Sequence, residues 1–269
     1  MVVDLAGLLR AMVEGDVRFV VIALVIGGAL LPAGTASATP APADRITHGP
    51  RDRRLVALTF DADMTRPMLA RISAGRMPEQ VDRRLFSLLR RTRTPATIFL
   101  TGLWTRRYSR FVRGLSRDPL FELENHSYDH RAWTWPCFGL PQVSTAQDKV
   151  AEVRRTQRVV EEVAGVVPRF FRFPGGCDNL RERRRVARLG LRTVGWDVVS
   201  ADAFEEDPRK IVLAVLSRVR PGSIVVAHCI GAPNTPATAV AMRRIIPALR
   251  ARGYRFVTLE RLLDPEAPS

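Results

Sequence analysis

Four histidines occur among the 269 residues, and two of them, His126 and His130, lie four apart in Asn125-His126-Ser127-Tyr128-Asp129-His130. A His-x-x-x-His spacing can set two imidazoles on one face of a helical turn, where they can share a metal ion. A third, His228, ends the apolar run Ser223-Ile224-Val225-Val226-Ala227-His228, and an acidic pair, Asp61 and Asp63, follows Leu55-Val56-Ala57-Leu58-Thr59-Phe60. Arg172 sits in the run from Arg169 to Phe173, and Asp202 lies a few residues beyond the run from Thr193 to Val199. Each residue alone has an ordinary explanation, such as a helix cap, an ion-pair partner or a surface charge. Gathered at five strand ends, histidines and carboxylates point to hydrolysis at a divalent metal.

Groups so scattered along the chain need a scaffold that collects them. Strands are expected at 55–60, 96–100, 120–124, 169–173, 193–199, 224–228 and 256–258. Several are continuous apolar runs, as in strands covered on both faces. Helices are expected between them, at about 79–91, 105–116, 145–164, 181–189, 207–219 and 237–252. The segment from Thr145 to Val163 is the clearest: Val150, Val153, Gln157, Val160 and Val163 lie close to helical spacing, and Gly165 and Pro168 close it. Such alternation implies one α/β domain with a parallel sheet, closed into a barrel, with functional groups at the carboxyl ends of the strands.

The order and spacing of these groups resemble the polysaccharide deacetylases, the NodB-homology group of carbohydrate esterases. Thr59-Phe60-Asp61-Ala62-Asp63 resembles the family's Thr-Phe-Asp-Asp-Gly motif, and His126 to His130 its His-Ser/Thr-x-x-His motif. Phe171-Arg172-Phe173-Pro174-Gly175-Gly176 is similar to its Arg-Pro-Pro-Tyr-Gly segment, Trp196 to Asp202 to its Trp-x-x-Asp-x-x-Asp segment, and Val226-Ala227-His228 to its Leu-x-His motif. The resemblance spans about residues 54–262 and implies a distorted seven-stranded (β/α) barrel. It implies removal of N-acetyl groups from cell-wall or related polysaccharide of N-acetylglucosamine type. It also implies a divalent metal, zinc above all, with cobalt or another divalent ion as alternatives. On the matching positions Asp61 is the general base and His228 the general acid. Arg172 holds Asp61, Asp202 orients His228, a backbone N–H near Gly175 meets the oxyanion, and His126, His130 and Asp63 hold the metal.

Three departures from the family pattern stand out. The motif's second aspartate, a metal ligand, is Ala62 here. Asp63 is the substitute if the strand continues, since alternate residues share a face; otherwise the site has two protein ligands. Gly175 stands where the family has tyrosine, and Val199 and Ala203 replace an aspartate and a tryptophan, so a wider cleft is expected. Two rivals remain open at this stage. One is an esterase for O-acetylated polysaccharide with the same site. The other is a non-catalytic glycan-binding protein on a degenerate deacetylase scaffold.

The formal net charge is +15, carried almost wholly by arginine, with Lys149 and Lys210 the two lysines. A GC-rich coding bias accounts for this; affinity for an anionic glycan or membrane surface is the functional alternative. The arginines are scattered without interleaved aromatics, which argues against a nucleic-acid partner. Phe19 to Leu31 is an apolar run of 13 followed by Ala36-Ser37-Ala38, the pattern of an export signal, although the preceding residues are not basic. Residues 1–38 are therefore expected to be a signal peptide or membrane anchor, 39–53 a flexible Pro/Ala/Thr linker, and 54–264 the deacetylase domain. A secreted or cell-wall-associated protein follows, meeting membrane only through an uncleaved N-terminal segment. Export permits one disulfide among three cysteines, and Cys137–Cys177 is the expected pair, with Cys229 a packed thiol. Thr235 or Thr238 is expected to cap the helix near 237.

Overall fold

The computed structural model describes residues 43–264, so the expected signal or anchor segment lies outside the described residues. Among these no helix is long and apolar enough to cross a membrane. Eight parallel strands form one sheet: β1 (Leu55–Ala62), β2 (Ala96–Leu100), β3 (Phe121–Asn125), β4 (Phe170–Phe171), β5 (Arg192–Thr193), β6 (Val198–Val199), β7 (Ser223–His228) and β8 (Arg255–Phe256). Seven follow the order β5-β4-β3-β2-β1-β7-β6 in a curled half-barrel. The eighth, β8, pairs with the first residues of β1, where β2 does not reach.

The barrel is distorted between β5 and β6, which are consecutive in the chain yet do not pair. A segment preceding β1 is laid along this gap. Ile46 bridges Val194 and His48 bridges Ser223; the Gly49 N–H donates to the Gly222 carbonyl at 2.8 Å, and Arg51 reaches Asp197 at 2.8 Å. From Arg45 onward, then, part of the stretch expected as a linker is bound to the barrel wall.

Nine α-helices occur among the described residues: α1 (Arg66–Ser73), α2 (Arg83–Arg91), α3 (Gly102–Arg107), α4 (Ser109–Ser116), α5 (Ala146–Ala164), α6 (Leu180–Ala187), α7 (Pro208–Leu216), α8 (Thr238–Ala251) and α9 (Leu259–Leu263). Alternation along β1 divides two cores. Val56, Leu58, Phe60 and Ala62 pack with the helix layer, whereas Leu55 and Ala57 face the barrel interior with Phe99, Phe170, Ile224 and Leu259. At about 1.5–3 kcal/mol for each large apolar side chain buried, these layers hold the strand ends in place. Helix α5 is capped by the Thr145 hydroxyl and closed by Gly165 in the left-handed region, at φ 68°. Its buried face is more polar than the valine spacing implies, for Lys149, Glu152 and Thr156 are all buried.

Several elements differ from expectation for identifiable reasons. The run 193–199 is two short strands, because the Asp197 carboxylate takes the Ile224 N–H at 2.9 Å. The expected helix 105–116 is α3 and α4, which meet at Tyr108, whose hydroxyl accepts the Gln80 N–H. The helix expected from 79 begins at Arg83, where Asp82 caps it. Helix α1 was not expected: it buries only Ile72, so it shows no apolar period, and Thr65 and a first-turn proline start it.

Candidate active site

β1 ends at Ala62, which is buried on one side, while Asp61 and Asp63, the latter one residue past the strand, turn to the other. Both carboxylates approach the same atom: His126 Nε2 lies 3.7 Å from Asp61 Oδ2 and 3.3 Å from Asp63 Oδ1. Asp63 Oδ1 is also 3.3 Å from His130 Nε2. The strand-parity argument for Asp63 thus has a geometric counterpart.

The two histidines come together by a route other than the helical turn. β3 ends at Asn125, and the following loop places Ser127 at φ 64° and His130 at φ 58°, both left-handed. Such a loop leaves backbone donors to be met from elsewhere. Asn125 Oδ1 accepts the Ser127 N–H at 2.9 Å, and a Glu152 carboxylate oxygen from α5 accepts those of Tyr128 and Asp129. The imidazole centroids end 5.0 Å apart. His126 Nδ1 lies 2.9 Å from the Arg172 carbonyl, which can only accept, so this contact puts the proton on Nδ1 and leaves Nε2 as a lone-pair donor.

The ligand atoms of Asp63, His126 and His130 lie within 4.8 Å of one another. Asp63 Oδ1 and His126 Nε2 are buried with no hydrogen-bond partner. Buried polar atoms are otherwise nearly always satisfied, so an orphaned carboxylate oxygen beside an orphaned imidazole nitrogen fits a divalent cation. Without a cation the site is electrostatically lopsided. Burial disfavours the Asp63 charge, yet His130, His126 and His228 around it hold its carboxyl well below the usual range. Burial pushes His130 down to about 4, against the pull of Asp63. It works equally against charge on His126, but Asp61 and Asp63 prevail and raise that imidazole.

Asp61 is paired on its other oxygen with Arg172, Nη1 to Oδ1 2.7 Å. Arg172 is wholly buried, donates to the Gly195 carbonyl at 3.1 Å and lies 4.0 Å over the Phe99 ring. Opposite this pair, His228 Nδ1 sits 2.8 Å from Asp202 Oδ1 and its Nε2 lies 3.7 Å from Asp63 Oδ2. Burial opposes a charged imidazole at His228, but Asp202 outweighs it and, with Asp63 and Asp61, lifts it to about 10. The seven residues singled out in the sequence (Asp61, Asp63, His126, His130, Arg172, Asp202 and His228) are therefore gathered at the carboxyl ends of β1, β3, β4, β6 and β7.

Sequence reasoning missed what fixes Asp202. Its Oδ2 accepts from the Thr238 hydroxyl at 2.6 Å and from the His228 N–H at 2.8 Å, and Ser200 donates to Oδ1 at 2.8 Å. Thr238 does not cap α8, whose N-cap is Ala237 without a side-chain bond, and Thr235 turns back to Gly231. No local pattern could have linked Thr238 to Asp202. Glu152 was likewise hidden in a helix that reads as merely amphipathic.

A cavity of about 320 Å³ opens beside Asp61, Asp63, His130 and His228. The space expected from Gly175 is not empty. Gly175 stands at φ 63°, and a Cβ there would come within 2.7 Å of Cys137 Sγ, 3.2 Å of Phe138 and 3.4 Å of Leu140. The loop carrying those residues is tied to this turn by the Cys137–Cys177 disulfide, while Cys229 is buried and free. Trp104 and Trp133 are core residues, and Trp135 is exposed.

Known proteins resemble this chain in sequence and in fold. The sequence profile of the family described as polysaccharide deacetylase matches residues 48–194. A chitooligosaccharide deacetylase of Sinorhizobium fredii is 32% identical over 209 residues, 74% of this chain and 87% of its own. A peptidoglycan-N-acetylglucosamine deacetylase of Bacillus cereus is 27% identical, over 80% and 90%. The uncharacterized protein YlxY of Bacillus subtilis is 26% identical over 76% of this chain, which spans only 60% of that protein's length. Among solved structures, a peptidoglycan N-acetylglucosamine deacetylase superposes with a TM-score of 0.69 at 23% identity, over 81% of this chain and 92% of that one, which bears on the fold alone. A family 4 acetyl xylan esterase from Clostridium thermocellum in complex with a cobalt ion gives 0.60 at 26% identity, over 77% and 89%. A mutant of a family 4 pseudoenzyme, described as having restored enzymatic activity, gives 0.67 at 25%, over 84% and 72%.

Proposed function

The chain belongs to the polysaccharide deacetylase family, and from that membership we propose that it is a metal-dependent hydrolase removing acetyl groups from N-acetylated sugars of cell-wall or related glycan. The observation that carries this reading is the orphaned pair Asp63 Oδ1 and His126 Nε2, 3.3 Å apart and buried, with His130 completing the set. Two imidazoles and a carboxylate are the donor set of an open catalytic site for zinc or a similar cation. When bound, the cation supplies Lewis acidity toward the acetyl carbonyl and a water of lowered pKa.

The remaining residues divide the proton work. Asp61 accepts the proton of the attacking water, and the Arg172 guanidinium, bonded to its other oxygen, holds the carboxylate in place for that task. His228 donates its proton to the departing sugar amine, and Asp202 keeps that imidazole charged. An acid and a base with opposite protonation states at one pH need partners of opposite charge, and each has one here. Ser200 and Thr238 hold Asp202 in register.

Acetate release from N-acetylglucosamine oligomers and peptidoglycan tests the reading, using protein stripped of metal and then given zinc or cobalt. Wild type is run beside Asp61→Asn, Asp63→Ala and His126→Ala. Metal-restored release that all three variants lose is the expected result. O-acetylated xylan in parallel separates amide from ester hydrolysis. The rival reading, a glycan-binding protein without turnover, rests on Ala62 at the family's ligand position and on the altered third and fourth motifs at Gly175, Val199 and Ala203. Glycan binding that survives Asp61→Asn, with no acetate released by wild type under any metal, would establish it. The apolar run at 19–31 supports export to the cell surface, which fractionation of producing cells checks.

A further inference from the structure

We propose that Phe138 and Phe204 form an aromatic platform that stacks on the sugar ring next to the one being deacetylated. This deepens the reading above and rests on it for the identity of the polymer. The two rings come from different parts of the chain. Phe138 lies in the loop between β3 and α5 that the Cys137–Cys177 disulfide fastens, and Phe204 in the loop between β6 and α7. Their centroids are 5.7 Å apart with planes 39° from parallel. That is contact distance, so no sugar fits between them; they make one continuous surface.

Three features set this pair apart from incidental surface apolar residues. The rings are 72% and 78% exposed although Phe is ordinarily buried. Both line the same cavity as Asp61, Asp63 and His228, so their exposed faces adjoin the reacting groups. Phe138 also occupies φ 45°, a conformation unfavourable for a bulky side chain and held here by the disulfide-fastened loop. The surrounding rim is apolar too, with Leu140, Val199 and Ala203. Exposed apolar surface continuous with a cleft marks a binding surface.

The chemistry of the rim selects its occupant. A pyranose presents its C–H bonds on one face and its hydroxyls around the edge, so an aromatic platform meets the C–H face and leaves the edge to water. Such a contact reads ring shape rather than hydroxyl pattern. Gly175 removes the family's aromatic from the third motif, and Phe138 and Leu140 stand against that glycine instead. The apolar wall is thereby supplied by a different loop of the chain.

Calorimetric binding of the N-acetylglucosamine tetramer to the intact metal-loaded protein tests this, with acetate release measured alongside. Phe138→Ala and Phe204→Ala are each expected to weaken tetramer binding about tenfold. In the release assay KM for the tetramer rises while kcat holds, and an acetylated aryl ester too small to reach the platform is hydrolysed as by wild type. Zinc content and thermal midpoint, unchanged in both variants, exclude a folding defect. Tetramer affinity equal to wild type in both variants overturns the proposal, even if acetate release vindicates the deacetylase reading. A wild type that does not bind the tetramer overturns it as well. Tetramer binding that needs the two rings, with no release under any metal, keeps the platform and removes the hydrolase.

Discussion

Asp61 and Asp63 present their carboxylates to a single nitrogen, His126 Nε2, at 3.7 and 3.3 Å, while Ala62 between them is buried in the helix-facing core. One position at the end of β1 therefore exchanges the carboxylate–histidine cluster for the apolar layer behind it. This makes the alanine in the family's ligand position a matter of strand parity and not simply of a lost ligand.

An aspartate at residue 62 should not repair the motif. Its carboxylate would enter the helix-facing core beside Phe60 and Met64, where an unpaired buried charge costs about 3 kcal/mol or more. Ala62→Asp is expected to lose that much in urea denaturation without gaining zinc affinity. Tighter zinc binding in this variant would show that the side chain reaches the site.

Asp63→Ala is expected to lower zinc affinity by more than about 100-fold, beyond the usual effect of groups that only orient ligands. Competition with a zinc-sensitive dye measures this without reference to catalysis. An affinity within threefold of wild type would leave His126 and His130 as the protein's only ligands.

Arg172 is buried against Asp61 with no solvent to replace it. Arg172→Met should therefore destabilise the protein by about 3–5 kcal/mol, because the buried carboxylate loses its guanidinium partner. Adding Asp61→Asn to the same chain should return part of that loss. Simple additivity of the two changes would mean that the pair is not coupled.

For His228 the direction of the pH effect follows from its raised pKa. In the metal-free protein Asp202 and neighbouring carboxylates lift the imidazole from 6.5 to about 10, against burial. The folded state thus holds a proton that the unfolded state releases. Its stabilisation is complete below pH 6.5 and is lost as pH rises through about 10. The stability difference between wild type and His228→Gln should shrink across that interval. A difference that stays constant from pH 6.5 to 10 would contradict the Asp202–His228 coupling.

Gly175→Ala should cost about 1–3 kcal/mol, since φ 63° is poor for alanine and the new methyl meets Cys137 Sγ at 2.7 Å. Differential scanning calorimetry of the oxidised protein reads the loss. A thermal midpoint equal to wild type would mean that the loop bearing Phe138 yields freely.

What the sequence determined by itself was whatever rests on period and order. Continuous apolar runs gave the parallel strands, and their polar ends gave Asp61, Asp63, His126, His130, Arg172, Asp202 and His228 in register. Parity alone put Asp63 on the side of Asp61. Tertiary structure decided the rest, because it depends on partners far apart in the chain. Arg172 meets Asp61 across 111 residues, and Thr238 meets Asp202 across 36, with no local pattern to announce either. The histidine loop is left-handed at Ser127 and His130 because Asn125 and Glu152 take its backbone donors. The space vacated at Gly175 is filled by a loop that the Cys137–Cys177 disulfide ties to it. The residues near Ile46 belong to the barrel because β5 and β6 leave backbone groups unpaired. Local period fixes which way a side chain points; only packing and hydrogen-bond closure fix what it meets.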